Sequence, residues 1–189
     1  MTADVSPRMN THRDNFDAWY KGVLDLLYPH RDAGFPILLI AFPLLERYLR
    51  QKSGLTPDQS LSDAFFYELT KLFPALATNA IARNFWQIYR NGLLHEITLS
   101  RRARSGTLMP TSWVSHDKPL ITIEADGSMW INPVEFAQRV VATIEADFAT
   151  FEGAAPVSTR LPTVKPQPMA TGTGVTPGQR IILGTNTDP

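Results

Sequence analysis

Apolar residues recur at helical spacing along most of the chain and lose that order after residue 152. From Asp14 to Tyr28 they fall at Phe16, Trp19, Tyr20, Val23, Leu26 and Leu27, which predicts a helix with one greasy face, stopped by Pro29. The most apolar run, Phe35 to Leu45, predicts a second, buried helix. It begins at Pro36, where a missing N–H costs nothing, and ends near Gly54. Pro43 lies inside it and is expected to kink it or to break one hydrogen bond. A third helix, capped by Ser60 or Ser62, carries Phe65, Phe66, Leu69, Leu72 and Phe73, and Pro74 closes it. A fourth runs from Ala75 or Thr78 to the region of Leu99.

Beyond the fourth helix the period changes. The segment SRRARSGTLMPTSWVSHDKP reads as a loop with a basic start. LITIEADGSMWIN alternates apolar and polar residues around Asp126-Gly127, the mark of a hairpin, placed at residues 119–132. The last helix opens with Asn132 as cap, Pro133 at its first position and Glu135 three residues on, a capping-box pattern. Its stripe is Val134, Ala137, Val140, Val141, Ile144, Phe148 and Phe151. From Gly153 onward aromatic residues are absent, and Pro, Gly and Thr dominate. Such a tail buries too little surface to offset its ordering entropy. Its only apolar cluster is RIILG, near the end. The expected fold is mainly α: an up-and-down helical bundle of about five helices with a small β-hairpin before the last. The helical domain occupies residues 14–152, with disordered segments at 1–13 and 153–189.

Composition narrows the chemistry. The chain has 189 residues, 43% hydrophobic, enough for one real core with an appendage. Formal net charge is zero, so no global basic field attracts nucleic acid, and any anion-binding surface must be local. There is no cysteine, which excludes disulfides, thiolate metal sites and cysteine nucleophiles. The polar N-terminal stretch MTADVSPRMNTHRD lacks the apolar core of a secretory signal, and the longest apolar run is too short to span a bilayer. A cytoplasmic protein with no membrane partner is the expectation.

The fourth helix holds the one unusual grouping. With about 100° of rotation per residue and Gln87 at zero, Trp86, Tyr89, Leu93 and Ile97 form a core face between roughly 200° and 280°. Arg83, Asn84, Gln87, Arg90, Asn91 and His95 fall on the opposite side, from roughly 300° through zero to 80°. A solvated polar face is the ordinary explanation. Here, however, the stripe has no acidic residue until Glu96, on the core side, so its cations lack helical i, i+4 partners. It also joins guanidinium, amide and imidazole. Guanidinium forks bind phosphate oxygens bidentately, amides donate to phosphate and sugar, and histidine moves protons near neutral pH. Gly92 weakens the helix by roughly 1 kcal/mol relative to alanine. Either another backbone approaches closely there, or the position simply tolerates glycine.

Arg90, Asn91 and His95, set as Arg-Asn-x-x-x-His in YRNGLLHE on the last long helix of a small bundle, resemble the signature of the HEPN superfamily. The resemblance covers Asp14 to Phe151. It implies a metal-independent, cofactor-free endoribonuclease, working as a homodimer on single-stranded RNA with two motifs facing each other. Many relatives are toxins or host-defence effectors, so an antitoxin or defence-complex protein is a further partner. Other relatives have lost catalysis and only bind RNA, nucleotide or protein. Under this resemblance His95 is the acid/base, Arg90 stabilises the phosphate charge and Asn91 orients one or the other. Arg83, Asn84 and Gln87 extend the RNA track. Arg101, Arg102 and Arg104, just past the helix, either grip flanking phosphates or complement the helix C-terminus. Glu46 and Arg50 read as an ion pair on the second helix, with an auxiliary role near the motif as the alternative. His116 and Asp117 read as a hydrogen-bonded loop pair. No spacing of His, Asp and Glu suggests a metal site.

Overall fold

A computed structural model describes residues 11–96, 98, 99, 106 and 108–153. The chain divides into two units, Met1–Pro156 and Val157–Pro189, and every described residue belongs to the first. The segments expected to be disordered, 153–189 and most of 1–13, lie outside the described residues except at their inner edges. One of those edges corrects the expectation: the first helix starts before Asp14. Thr11 caps it, accepting from Asp14 N at 3.1 Å, while the Asp14 carboxylate accepts from Thr11 N at 2.9 Å. Each group satisfies an otherwise orphaned donor of the other.

The architecture is mainly helical, with a small sheet before the last helices. Helix α1 (His12–Phe16) continues through a π-helical turn, Asp17–Lys21, into α2 (Gly22–Leu27). Helix α3 (Gly34–Lys52) is the longest α-helix, α4 spans Asp63–Leu72, and α5 (Asn79–Phe85) runs on as a π-helical segment, Trp86–Glu96. Strands β1 (Ser112–Val114), β2 (Ile121–Ile123) and β3 (Met129–Ile131) precede α6 (Pro133–Ala146) and α7 (Phe148–Gly153).

Helix α3 is central and packs against α2, α4, α6, α7 and the π-helical segment. It is buried along Ile37, Leu38, Ala41, Phe42, Leu45 and Leu49. Pro43 does not end it: the ring faces solvent and the helix continues to Lys52. The helix also begins earlier than Pro36, because Arg31–Ala33 form a 3₁₀ turn that leads into Gly34. A Cβ at Gly34 would lie 3.1 Å from Val114 Cγ1 and 3.4 Å from Pro133 Cγ, so glycine lets the start of α3 seat against β1 and α6. At mid-core Phe42 meets Phe85, Trp86 and Phe136 with ring centroids 5.9, 5.7 and 4.8 Å away.

Three elements differ from the pattern-based expectation. The hairpin forms, with Ile121 opposite Ile131 and Gly127 at φ 83°, but it gains a third strand. The stretch expected to be loop contains β1, which pairs parallel with β3 and makes the order β1-β3-β2. Three residues are too few for an alternating pattern to register. In the first helix only Phe16 and Leu24 are buried, whereas Trp19, Val23 and Leu26 face solvent. Its apolar arc is wider than the surface the bundle offers to this peripheral element. In α6 the capping box is half made. Asn132 Oδ1 accepts from Val134 N and Glu135 N, but the Glu135 carboxylate turns to Leu120 N at 2.8 Å, because Asn132 N is already bonded to Leu120 O.

Candidate active site

Thr78 caps the helix that carries the site, accepting from Ile81 N. The first seven residues of that helix are α-helical, and the next eleven wind as π-helix. That change decides the geometry. On an α-helix, residues five apart point about 140° away from each other. A π-helix bonds i to i+5, which stacks such residues one turn above the other. Arg90 and His95 are five apart, and their side chains meet: Nη1 of Arg90 is 3.1 Å from Nε2 of His95. The wheel drawn with α-helical rotation places them on opposite margins of one stripe; the wider winding brings them together.

Donor counting orients the contact. Guanidinium only donates, so His95 Nε2 is the accepting side of its contact with Arg90 Nη1. The same logic fixes Asn91. Its Oδ1 accepts from Arg90 Nη1 at 3.0 Å, and its Nδ2 donates to Gln87 Oε1 at 3.0 Å. Gln87, Arg90 and Asn91 are partly buried, and His95 is exposed at the surface end of the cluster.

The stripe's cations find their acidic partners on other helices, not along their own. Glu46 of α3 accepts from Arg90 Nε at 2.8 Å and lies 2.6 Å from Arg90 Nη2, both through Oε2. Its other oxygen accepts from Arg50 Nε at 2.9 Å. Arg50 Nη1 also donates to the carbonyls of Thr56 and Gln59, tying down the turn after α3. Glu46 therefore forms the expected pair with Arg50 and also bridges to Arg90. At 14% side-chain exposure, against 17% for Arg50 and 21% for Arg90, it sits where salt screens poorly. Helical spacing reads partners only along one helix, and this partner comes from another.

The remaining residues of the expected RNA track separate. Arg83 is exposed and lies 2.7 Å from Asp63 Oδ1 on α4, with its guanidinium 4.2 Å above the Phe66 ring, so it braces α4 against α5. Asn84 is exposed, one turn before Gln87 and Ile88. Arg101, Arg102 and Arg104 lie outside the described residues. His116 and Asp117 do not bond each other as expected. Each meets Arg31 instead, His116 Nε2 at its carbonyl (3.0 Å) and Asp117 Oδ1 at its guanidinium (3.1 Å). Among the described residues no group of three His, Asp or Glu side chains is placed to hold a metal ion. No helix there is long and apolar enough to cross a membrane.

Comparison with protein-family models, with curated proteins and with solved structures finds no match. The chemistry of this chain rests on its own residues.

Proposed function

We propose that the chain is a metal-independent endoribonuclease of the HEPN type, acting as a homodimer on single-stranded RNA, in a toxin or host-defence setting in the cytoplasm. The observation that carries this reading is the contact of Arg90 with both Asn91 and His95 at the surface of the π-helical segment. An unprotonated imidazole nitrogen, a guanidinium held from behind and an oriented amide suit the transesterification of RNA. The 2′-hydroxyl gives its proton to His95 Nε2, and its oxygen bonds to phosphorus. The P–O5′ bond breaks, and the leaving oxygen takes a proton from His95 of the second copy, which enters the step already protonated from solvent and clear of its own Arg90; the proton gained by the first His95 returns to solvent. Products are a 2′,3′-cyclic phosphate and a 5′-hydroxyl. Glu46 keeps Nε and Nη2 of Arg90 in place while Nη1 exchanges His95 for a phosphate oxygen, where it stabilises the developing charge. An antitoxin or defence-complex protein would cover the same face.

The Glu46 contact also supports a second reading. With Oε2 of Glu46 facing two nitrogens of Arg90, much of the guanidinium charge is compensated, which suits a silent module that binds RNA, nucleotide or a protein partner without turnover.

The test compares wild type, His95→Ala and Arg90→Ala on a labelled single-stranded RNA in EDTA. The expected result is cleavage by wild type to cyclic-phosphate ends and a loss of about 10²–10⁴-fold in His95→Ala, with RNA binding retained. Cleavage unchanged in both variants excludes the site. Full binding by wild type with no cleavage establishes the silent module. Sedimentation at micromolar concentration is expected to give a dimer, and a monomer would leave each motif without its counterpart.

A further inference from the structure

A cavity of about 510 Å³ opens where the π-helical segment ends, between the start of α3 and the strand β1. Its walls include Phe35, Leu108 and Trp113, with the hydroxyl-bearing Thr98 and Thr111. This size lies within the range of small-molecule sites, about 300–1,000 Å³. Phe35, Leu108 and Trp113 are exposed to solvent, at 39%, 69% and 39%. Such exposure is a cost unless something covers it.

Two observations indicate what covers it. First, Trp113 is stacked on Trp130, with centroids 4.3 Å apart and planes 17° apart, and Lys118 Nζ lies 5.1 Å from the Trp130 ring centroid. One indole face is thus occupied by Trp130, while Trp113 still lines the cavity and remains partly open to solvent. Rigid aromatic faces with nearby hydroxyls bind unpaired bases, because every base has a π-face and polar edges. Second, the cavity is aligned with the candidate active site. Phe35 and Glu46 both belong to α3, eleven residues apart, which is three turns and nearly the same face. That separation is about 16 Å along the axis. At about 3.4 Å per stacked nucleotide, a strand whose phosphate meets Arg90 reaches the cavity within about five nucleotides.

We infer that this cavity is a nucleobase subsite, in which Trp113 stacks an unpaired base of the RNA flanking the phosphate at Arg90. The inference rests on the reading of RNA as the ligand, though not on turnover. It gives the site a way to select single-stranded RNA, since a paired base cannot leave its helix to enter.

The experiment is a binding cycle in the full-length His95→Ala chain, which holds RNA uncut. Fluorescence anisotropy measures Kd for a labelled RNA decamer and for a decamer of the same length with abasic riboses throughout. The ratio of the two Kd values isolates the contribution of the bases. It is then measured with Trp113→Ala added and, separately, Leu108→Asp, a substitution at an exposed rim position that keeps the Trp113–Trp130 stack. The expected result is a ratio that falls about 5-fold or more in both variants, as loss of one base stack requires. A ratio unchanged in Leu108→Asp, with the fold intact by circular dichroism, overturns the inference. Should the bases contribute through this cavity while wild type cuts nothing, the subsite stands and the nuclease reading falls. If wild type cuts RNA through His95 while the ratio ignores both variants, the nuclease stands and the subsite falls. Absence of RNA binding removes both.

Discussion

At the scale of single residues, Glu46 organises the site. One carboxylate answers two arginines, and one of those arginines answers an amide and an imidazole. Removing the carboxylate leaves two partly buried guanidinium groups facing each other. Glu46→Ala is therefore expected to lower stability by about 1–3 kcal/mol, between the values for exposed and buried pairs. Urea denaturation measures this, and a change below a few tenths would show that the bridge contributes nothing. The residue types of the site were legible in the sequence: Arg90, Asn91 and His95 stand out because no acid accompanies them. Glu46 and Arg50 were visible as a pair four apart, but nothing in the spacing tied either to Arg90, forty-four positions later. Such a tie depends on how α3 packs, which no local pattern encodes.

At the scale of elements, the π-helical segment is the feature that periodicity misses. Apolar residues at Trp86, Tyr89 and Leu93 fit α-helical spacing well enough to predict a core face, and all three are buried. The winding shows only in a relation between polar residues, the five-residue step from Arg90 to His95. π-helix is rare, and where it occurs, mostly as single-turn bulges, it is frequent at functional sites, consistent with a local structure held for chemistry rather than propensity. The segment is anchored on its inner side by Tyr89. Its hydroxyl proton is shared between the carbonyls of Met129, at 2.8 Å, and Trp113, at 3.0 Å, one on each of two neighbouring strands. Burial pushes the Tyr89 hydroxyl well above the ordinary tyrosine range, so it remains a donor throughout the physiological range. Tyr89→Phe is expected to cost about 1 kcal/mol and to loosen β1 from the helix. Amide exchange at β1 checks it: faster exchange confined to Ser112–Val114 is expected, and uniform protection would contradict the anchoring role.

At the scale of the whole molecule, α3 is the hub of the described residues, packing against α2, α4, α6, α7 and the π-helical segment. One side carries the aromatic core around Phe42, another carries Glu46, and its last turns meet the end of α6. There Asp147 accepts from Lys52 Nζ at 2.8 Å, Thr150 Oγ1 at 2.8 Å and Tyr48 Oη at 3.1 Å. These donors, Lys52 foremost, hold the Asp147 carboxyl at about 2 against an ordinary 3.8. A depressed carboxyl stabilises the fold fully above its unfolded value and loses that contribution as pH falls through the folded one. The stability difference between wild type and Asp147→Asn is thus expected to stay constant above about pH 5 and to shrink between about pH 4 and 2. Urea titrations across that range test it, and a pH-independent difference would contradict it. The bundle and its hairpin were legible because core stripes and the Asp126-Gly127 turn are local signals; the parallel pairing of β1 with β3 is not local.

The most direct measurement is a double-mutant cycle on RNA cleavage, with kcat/KM for wild type, Arg90→Ala, His95→Ala and the double variant. Groups in contact that act on one phosphate behave as a unit, so the double variant is expected to be little worse than either single one. Losses that multiply, or no loss at all, would show that Arg90 and His95 do not form one catalytic centre.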